Sequence, residues 1–591
     1  MGRGTVWIIL IAILAAGCTP SWYRADADRQ VNALIKDRQA KTIGYEPEVE
    51  VATPSEELPP PKTYDRLPTT DYPPPQTPAI VVPAVIRTFR AIGPQIDEDP
   101  LPRQSNFQSN VRVIRMVLGE GRLGPPVPID VDALRFALFD SISYAVENSR
   151  AYRNEMDSLY ITALDVTLQR HLFSPRPFAR GSLRYGGGQL DSDYQSALTA
   201  AAEAGVRQRL PYGGEIVASG LVEFVNGLNA SSADGENAEL ALQGTIPLLR
   251  NAGMINLEAL IQSERDLVYA VRDFETFRRN FSIQVASAYF RLLTQQSSIR
   301  NRYVRYVSSI DLTARTEALF KAGRISALEV QRAVQEQLTA EDDLNVAIQD
   351  YENDLDDFKL LLGMPIDQPL IIVQQRIIVP EPELNIDSVA DIARRYRLDL
   401  QTARDRVEDA QRSAQNARNQ LLPDLDLEVG SSIGNRNETP AKAIDSRTLD
   451  YFAGISLDLP IDRLPERNAY RRALIALDQA SRDVEQADDL IIADARSAVR
   501  GIQAAQTTLD LQLRGIEIAQ ARLDFANESL NTSRATDSRD VVEAQNSLLQ
   551  AQDRYESATA NAQIAILQYL RDTGLLRLNP ESGVLGMAMQ R

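Results

Sequence analysis

Few side chains in this chain are placed to do chemistry, and the sharpest candidate is Cys18, the one cysteine in 591 residues. It ends the run Leu14-Ala15-Ala16-Gly17, which closes an almost wholly apolar stretch from Val6 to Ala16 behind Arg3. A basic residue, a short apolar segment and small residues before a cysteine form the pattern of a bacterial lipobox. A lipoprotein peptidase cuts there and leaves the cysteine as a lipidated N-terminus. An ordinary cleaved leader, or an anchor that happens to contain a cysteine, is the plain alternative. A second candidate constellation is Asp540 with Glu543. Their i, i+3 spacing puts both carboxylates on one helix face, where a merely solvated acidic face is the competing reading.

Other chemistry is poorly served. The single histidine, His171, has no second His or Cys to complete a metal site, and it reads as a helix-end surface residue. One cysteine excludes an internal disulfide. The formal charge of −18 makes a nucleic-acid backbone an unsuitable partner. There is no Gly-rich phosphate loop and no Cys/His dyad, so neither an enzyme nor a cofactor is expected. The abundant carboxylates sit on charged helix faces.

The elements that would position these residues are long helices. Leu257, Leu260, Glu264, Leu267, Val271, Phe274, Arg278, Phe281, Val285, Ala288 and Leu292 alternate spacings of three and four, a heptad seam with charged interruptions. A second seam runs Val484, Ala487, Ile491, Ala495, Ala498, Ile502, Ala505, Leu509, and its alanines allow close helix approach. Gly501 and Gly515 are isolated and tolerable within it. The spacing predicts helices near 250–321 and 463–533. Each has roughly 70 residues and is about 105 Å long at 1.5 Å per residue. No globular core needs such a length; a rod, a stalk or the wall of a tube does.

The two halves repeat each other. Glu329-Val330 with Ala333 matches Asp540-Val541 with Ala544, and Gly363 matches Gly574, in both cases 211 residues later. Ile246-Pro247 matches Leu459-Pro460, and Ala145 to Pro175 spans the same distance as Ala393 to Pro423. Each half reads helix, strands, very long helix, turn, returning helix. The strands of the second half are Asp424–Gly430 and Tyr451–Leu459, with period-2 alternation at Leu425, Leu427, Val429 and at Ile455, Leu457, Leu459. In the first half, 72 residues separate Pro175 from Pro247, against 37 from Pro423 to Pro460, an excess of about 35. Phe178–Gly188 and Gly214–Leu228 compete there as strands. The second is favoured, paired with Glu239–Ile246 across a polar turn. Past the leader no stretch is apolar enough for a spanning helix, so any membrane crossing must be made by strands.

Five segments carry a resemblance to a known family. They are AQRSAQNARNQLLP (410–423) entering a strand, YFAGISLDLPIDRLPERNAYRRA (451–473) from strand to helix, AGRISALEV (322–330) at a helix turn, LLRNAG (248–253) at a strand exit, and the acidic segment at Asp540. In this order, over roughly 130–580, they resemble the outer-membrane efflux proteins, the TolC-like channels. The resemblance implies a fold that is mainly α with a small β part. Long α-helical hairpins would form a periplasmic tunnel, and four strands per subunit would enter a trimeric twelve-stranded outer-membrane β-barrel. It implies a homotrimer set in outer-membrane lipid, with a periplasmic adaptor protein and an inner-membrane transporter as partners and no nucleic acid. It also makes Asp540 and Glu543 a candidate constriction ring at the periplasmic tip. Some members close that tip with a Tyr and an Arg, but Asn531 and Thr536 occupy those positions here and Arg534 replaces the usual Gly.

The chain therefore divides into a signal peptide (1–17), a lipid-anchored N-terminal segment (18–44) with a short charged helix around Val31, Leu34 and Ile35, and a Pro-rich tether (45–120). Two repeats (121–384 and 385–580) and a C-terminal tail (581–591) follow. The function expected is the passive exit duct of a tripartite efflux or type I secretion system. A periplasm-spanning coiled-coil tether without a pore is the alternative, and it has no use for strand pairs flanked by matched prolines.

Overall fold

The structure, a computed structural model, describes residues 20–43, 134–187, 196–227, 235–373, 385–436, 449–531, 538–579 and 584–587. The Pro-rich tract lies outside them. In chain order, α1 (Pro20–Ile43) precedes β1 (Leu134–Phe136), α2 (Leu138–Asn148) and α3 (Arg150–Leu172). Four strands follow: β2 (Arg176–Gly187), β3 (Ser196–Arg209), β4 (Glu215–Gly227) and β5 (Gly235–Pro247). The first long helix α4 (Glu258–Lys321) turns into α5 (Ala327–Leu362), and β6 (Leu370–Ile372) ends the first repeat. The second repeat is α6 (Ile386–Tyr396), α7 (Leu398–Asn419), β7 (Asp424–Arg436), β8 (Leu449–Asp458), α8 (Leu464–Asn531) and α9 (Ser538–Asp572). A short pair, β9 (Leu576–Asn579) and β10 (Val584–Met587), follows.

The long helices form as their seams require. α4 has 64 residues and α8 has 68, about 96 and 102 Å at 1.5 Å per residue. Along α4, Leu267, Val271, Phe274, Phe281, Val285 and Leu292 are buried. Arg278, one of the charged interruptions, is buried as well. Its guanidinium and that of Arg279 both donate to Glu275, at 2.9 and 3.0 Å. Along α8, Ile491, Ala495 and Ile502 are buried, joined by Val499. These faces meet α2, α3, α5 and α9 in one core around Tyr152, Phe281, Tyr289 and Phe358.

Both returning helices stop at the matched glycines. Gly363 and Gly574 adopt φ of 78° and 73°, the left-handed conformation that ends helices and suits glycine. A Cβ at Gly363 would meet the Asn148 carbonyl oxygen at 2.3 Å, and one at Gly574 would meet that of Tyr396 at 2.7 Å. Asn148 ends α2 and Tyr396 ends α6, so the same packing closes each repeat. The N-terminal α1 docks on this body with Val31, Leu34 and Ile35 buried. Tyr160 Oη donates to Asp28 at 2.5 Å, and Arg38 pairs with Glu264 at 3.1 Å.

The strands depart from the sequence expectation in number. They form one antiparallel sheet in the order β2-β3-β4-β5-β7-β8, six strands among the described residues rather than four. The two competing segments of the first half are both strands, β2 and β4, and Ser196–Arg209 adds a strand between them. The excess residues of the first half are thus one more antiparallel pair. β3 escapes a period-2 reading because Ala200, Ala201 and Ala202 put alanine on both faces. An alanine run carries no alternation and has high helix propensity.

Candidate functional site

Directly opposed residues in a sheet share a face, so the register assigns every side chain to one side. Beginning from Leu183, its opposite Ala200 lies beside Phe224; farther along, Leu240 faces Ile433, and Ile433 faces Leu449. With Tyr185, Val206, Ile216, Leu242, Ile455 and Leu457, this makes one apolar face across all six strands. Many of its large side chains are exposed, Leu183 at 73% and Ile455 at 69%. The other face carries Arg180, Arg184, Glu203, Glu223, Gln243, Glu428 and Asp458. An exposed apolar face backed by a polar one is the pattern of a wall between hydrocarbon and water.

The lower rim of the wall is tied to the helices by polar contacts across the two repeats. Asn251, at φ 60°, receives Gln420 Nε2 on its side-chain oxygen at 2.7 Å, while its backbone N–H donates to Asn419 Oδ1 at 2.9 Å. Arg250 Nε donates to Gln420 Oε1 at 2.8 Å. This is the LLRNAG strand exit gripping the end of AQRSAQNARNQLLP. Below it, α4 and α7 are joined by charge. Arg272 Nη1 binds Asp405 at 2.6 Å, Arg412 binds Glu258 at 3.3 Å, and Arg265 pairs with Asp409. Tyr269 Oη donates to Asp409 at 2.5 Å. Burial first, and then the Asp409 carboxylate, push the Tyr269 phenol up to about 12.

At the other end of the long helices lies the tip. α8 and α9 are joined there through Val541 and Ala544, buried against Ala526 and packed by Leu523. The equivalent Ala333 of the first repeat is buried too, its carbonyl accepting Thr313 Oγ1 at 3.1 Å. Asp540 and Glu543 stand in the first turns of α9, both exposed. Glu543 Oε1 accepts Arg522 Nη2 from α8 at 2.8 Å. That hydrogen bond first, and then the positive charge, hold the Glu543 carboxyl below the usual glutamate range. In the first repeat Glu329 is paired with Arg332 at 2.7 Å.

Arg522 is the tip residue that sequence reasoning did not single out. It lies 21 positions before Glu543 on the opposite helix, and only the hairpin register brings the two together. Cys18, Arg534 and Thr536 lie outside the described residues. His171 is exposed at the end of α3, its Nδ1 3.2 Å from Ser174 Oγ. No group of His, Cys, Asp and Glu among the described residues is arranged to hold a metal. No helix among them is long and apolar enough to cross a membrane.

The comparisons agree with this architecture. Residues 389–571 match the family model of the outer membrane efflux proteins. The fold resembles the Campylobacter jejuni CmeC outer membrane channel (TM-score 0.58, 13% identity, covering 74% of this chain and 85% of that one). It also resembles the Vibrio cholerae outer membrane protein VceC (0.58, 16%, 74% and 96%) and the open state of the Neisseria gonorrhoeae MtrE outer membrane channel (0.51, 14%, 74% and 88%). No curated protein sequence matches the chain. With that domain over its second repeat, and the channel fold over both, the chain is a member of the outer membrane efflux protein family.

Proposed function

We propose that this chain is one subunit of an outer-membrane channel, the passive exit duct of a tripartite efflux or type I secretion system. The observation that carries the reading is the six-stranded sheet, apolar on one face, polar on the other, and open at both edges. Open edges are not tolerated in hydrocarbon, so the sheet requires further copies of itself to close. A homotrimer supplies them. The paired long helices, about 100 Å long, then form a tunnel wall, and their tips are the surface offered to a periplasmic adaptor and an inner-membrane transporter. Cys18, acylated after leader cleavage, would hold the N-terminus in the outer-membrane lipid, with the segment from 45 to 120 as its tether.

Asp540 and Glu543 of three subunits would form an acidic ring at the tunnel mouth. Charge confined between low-dielectric walls produces a larger potential than the same charge on an open surface, and such rings favour cations. Purified protein in a planar bilayer should give discrete conductance steps with cation preference. The Asp540→Ala/Glu543→Ala pair should lower that preference, read as reversal potential in a salt gradient, with trimer stability unchanged because exposed acids add little to folding. Absence of any conductance would return the chain to a coiled-coil tether. Conductance with unaltered selectivity in the double variant would remove the ring alone.

A further inference from the structure

The channel reading requires the sheet to close, and the structure bears on which strands do it. β2 and β8 are the two edges. The β2–β3 hairpin is no loose flap: β2 pairs with β3 from Arg176 to Gly187, and β3 with β4 from Ala197 to Arg209. These ladders are as long as those joining β4, β5, β7 and β8. The face alternation continues through the hairpin, with Ala179, Leu183 and Tyr185 on the apolar side of β2, and Ala204 and Val206 on that of β3. A hairpin folded over a pore mouth would have no reason to keep that alternation in step with the wall.

The edges also complement each other. β2 leaves α3 at the lower rim and runs upward, while β8 descends to α8, so β2 of one copy meets β8 of the next antiparallel. On the polar face β2 presents Arg176, Arg180 and Arg184, and β8 presents Asp450 and Asp458. Cations on one edge would lie along carboxylates on the other, the arrangement that stabilises cross-strand pairs.

We propose that β2 of one subunit pairs with β8 of a second copy of this chain, so that three copies close a barrel of eighteen strands rather than twelve. The inference rests on the channel reading above. Strands about 4.8 Å apart and tilted about 40° give a backbone diameter of about 36 Å for eighteen strands, against about 24 Å for twelve. The hairpin therefore widens the outer mouth about 1.5-fold, into the range where barrels hold an aqueous channel.

Cysteine pairs on the polar face test this in the full chain. Arg180→Cys, Ser182→Cys and Arg184→Cys, each combined with Asp450→Cys, sample the proposed seam at three heights. Leu221→Cys, Glu223→Cys and Val225→Cys on β4, each with Asp450→Cys, sample a twelve-stranded closure that leaves the hairpin outside. Oxidation should give covalent dimers and trimers on denaturing gels with the β2 set and none with the β4 set. A second measurement avoids cross-linking. Gln208 Nε2 lies 3.4 Å from the Phe173 carbonyl oxygen, so the hairpin starts and ends on the same rim. Excising 176–209 should then narrow the barrel by about a third in projection images. Cross-links in the β4 set, or an unchanged width after excision, would overturn the eighteen-stranded barrel while conductance preserved the channel reading. Loss of conductance and of all cross-links in otherwise wild-type protein would overturn both.

Discussion

Removing Arg522 isolates the tip's electrostatics from its fold. Arg522 and Glu543 are both exposed at their 2.8 Å contact, with side chains 51% and 55% accessible, so Arg522→Ala should leave assembly intact. Its effect is on charge. In each subunit Asp540 and Glu543 contribute two negative charges and Arg522 one positive, a net of −1. The variant has −2, and three copies take the mouth from −3 to −6. Three added charges about 10 Å from a divalent cation, in water and screened over a Debye length of about 10 Å, tighten its binding roughly fivefold. Arg522→Ala channels should accordingly be more cation-selective, and blocked from the periplasmic side at roughly fivefold lower divalent concentration. The pH dependence moves in a stated direction. Glu543 is held below the usual glutamate range by Arg522, so in wild type it stays ionised to lower pH. In the variant it returns toward that range, and the Glu543 share of selectivity should fade at a higher pH on acidification. The assay is reversal potential and divalent block in planar bilayers between pH 3 and 7. Wild-type selectivity, block and pH midpoint in Arg522→Ala would refute the placement of these groups at the conducting mouth.

Three further outcomes follow from the fold. Glu275→Ala leaves the buried Arg278 and Arg279 without the carboxylate that both contact. It should cost about 3–5 kcal/mol, seen in denaturation of the detergent-solubilised protein, with Glu275→Gln milder. Ala495→Pro, fully buried near the middle of α8, removes a helix hydrogen bond and kinks the wall at about 3 kcal/mol or more. Trimer yield should fall sharply, while proline placed in the 59–75 tract should be tolerated. Cys18→Ser should abolish labelling by a fatty-acid precursor without preventing assembly; retained label would refute lipidation at this residue.

What the sequence by itself determined follows from local period. The seam of α4 could be read position by position, including the buried Arg278, because a helix repeats its face every three or four residues whatever lies opposite. The helix stops at Gly363 and Gly574 were legible for a similar reason, since a left-handed φ demands glycine at the place where it occurs. The strands of the second half were legible because Leu425, Leu427 and Val429 alternate with charged residues. β3 was not, because alanine on both faces leaves no alternation to read. The sheet order, the extra hairpin between α3 and β4, and the charge network joining α4 to α7 were decided by tertiary structure. So was the capture of Glu543 by Arg522. These partners lie from 21 to about 170 residues apart. A periodicity says which face of an element is buried, but the register between two elements depends on how their side chains interlock. That information exists only once both elements are in place.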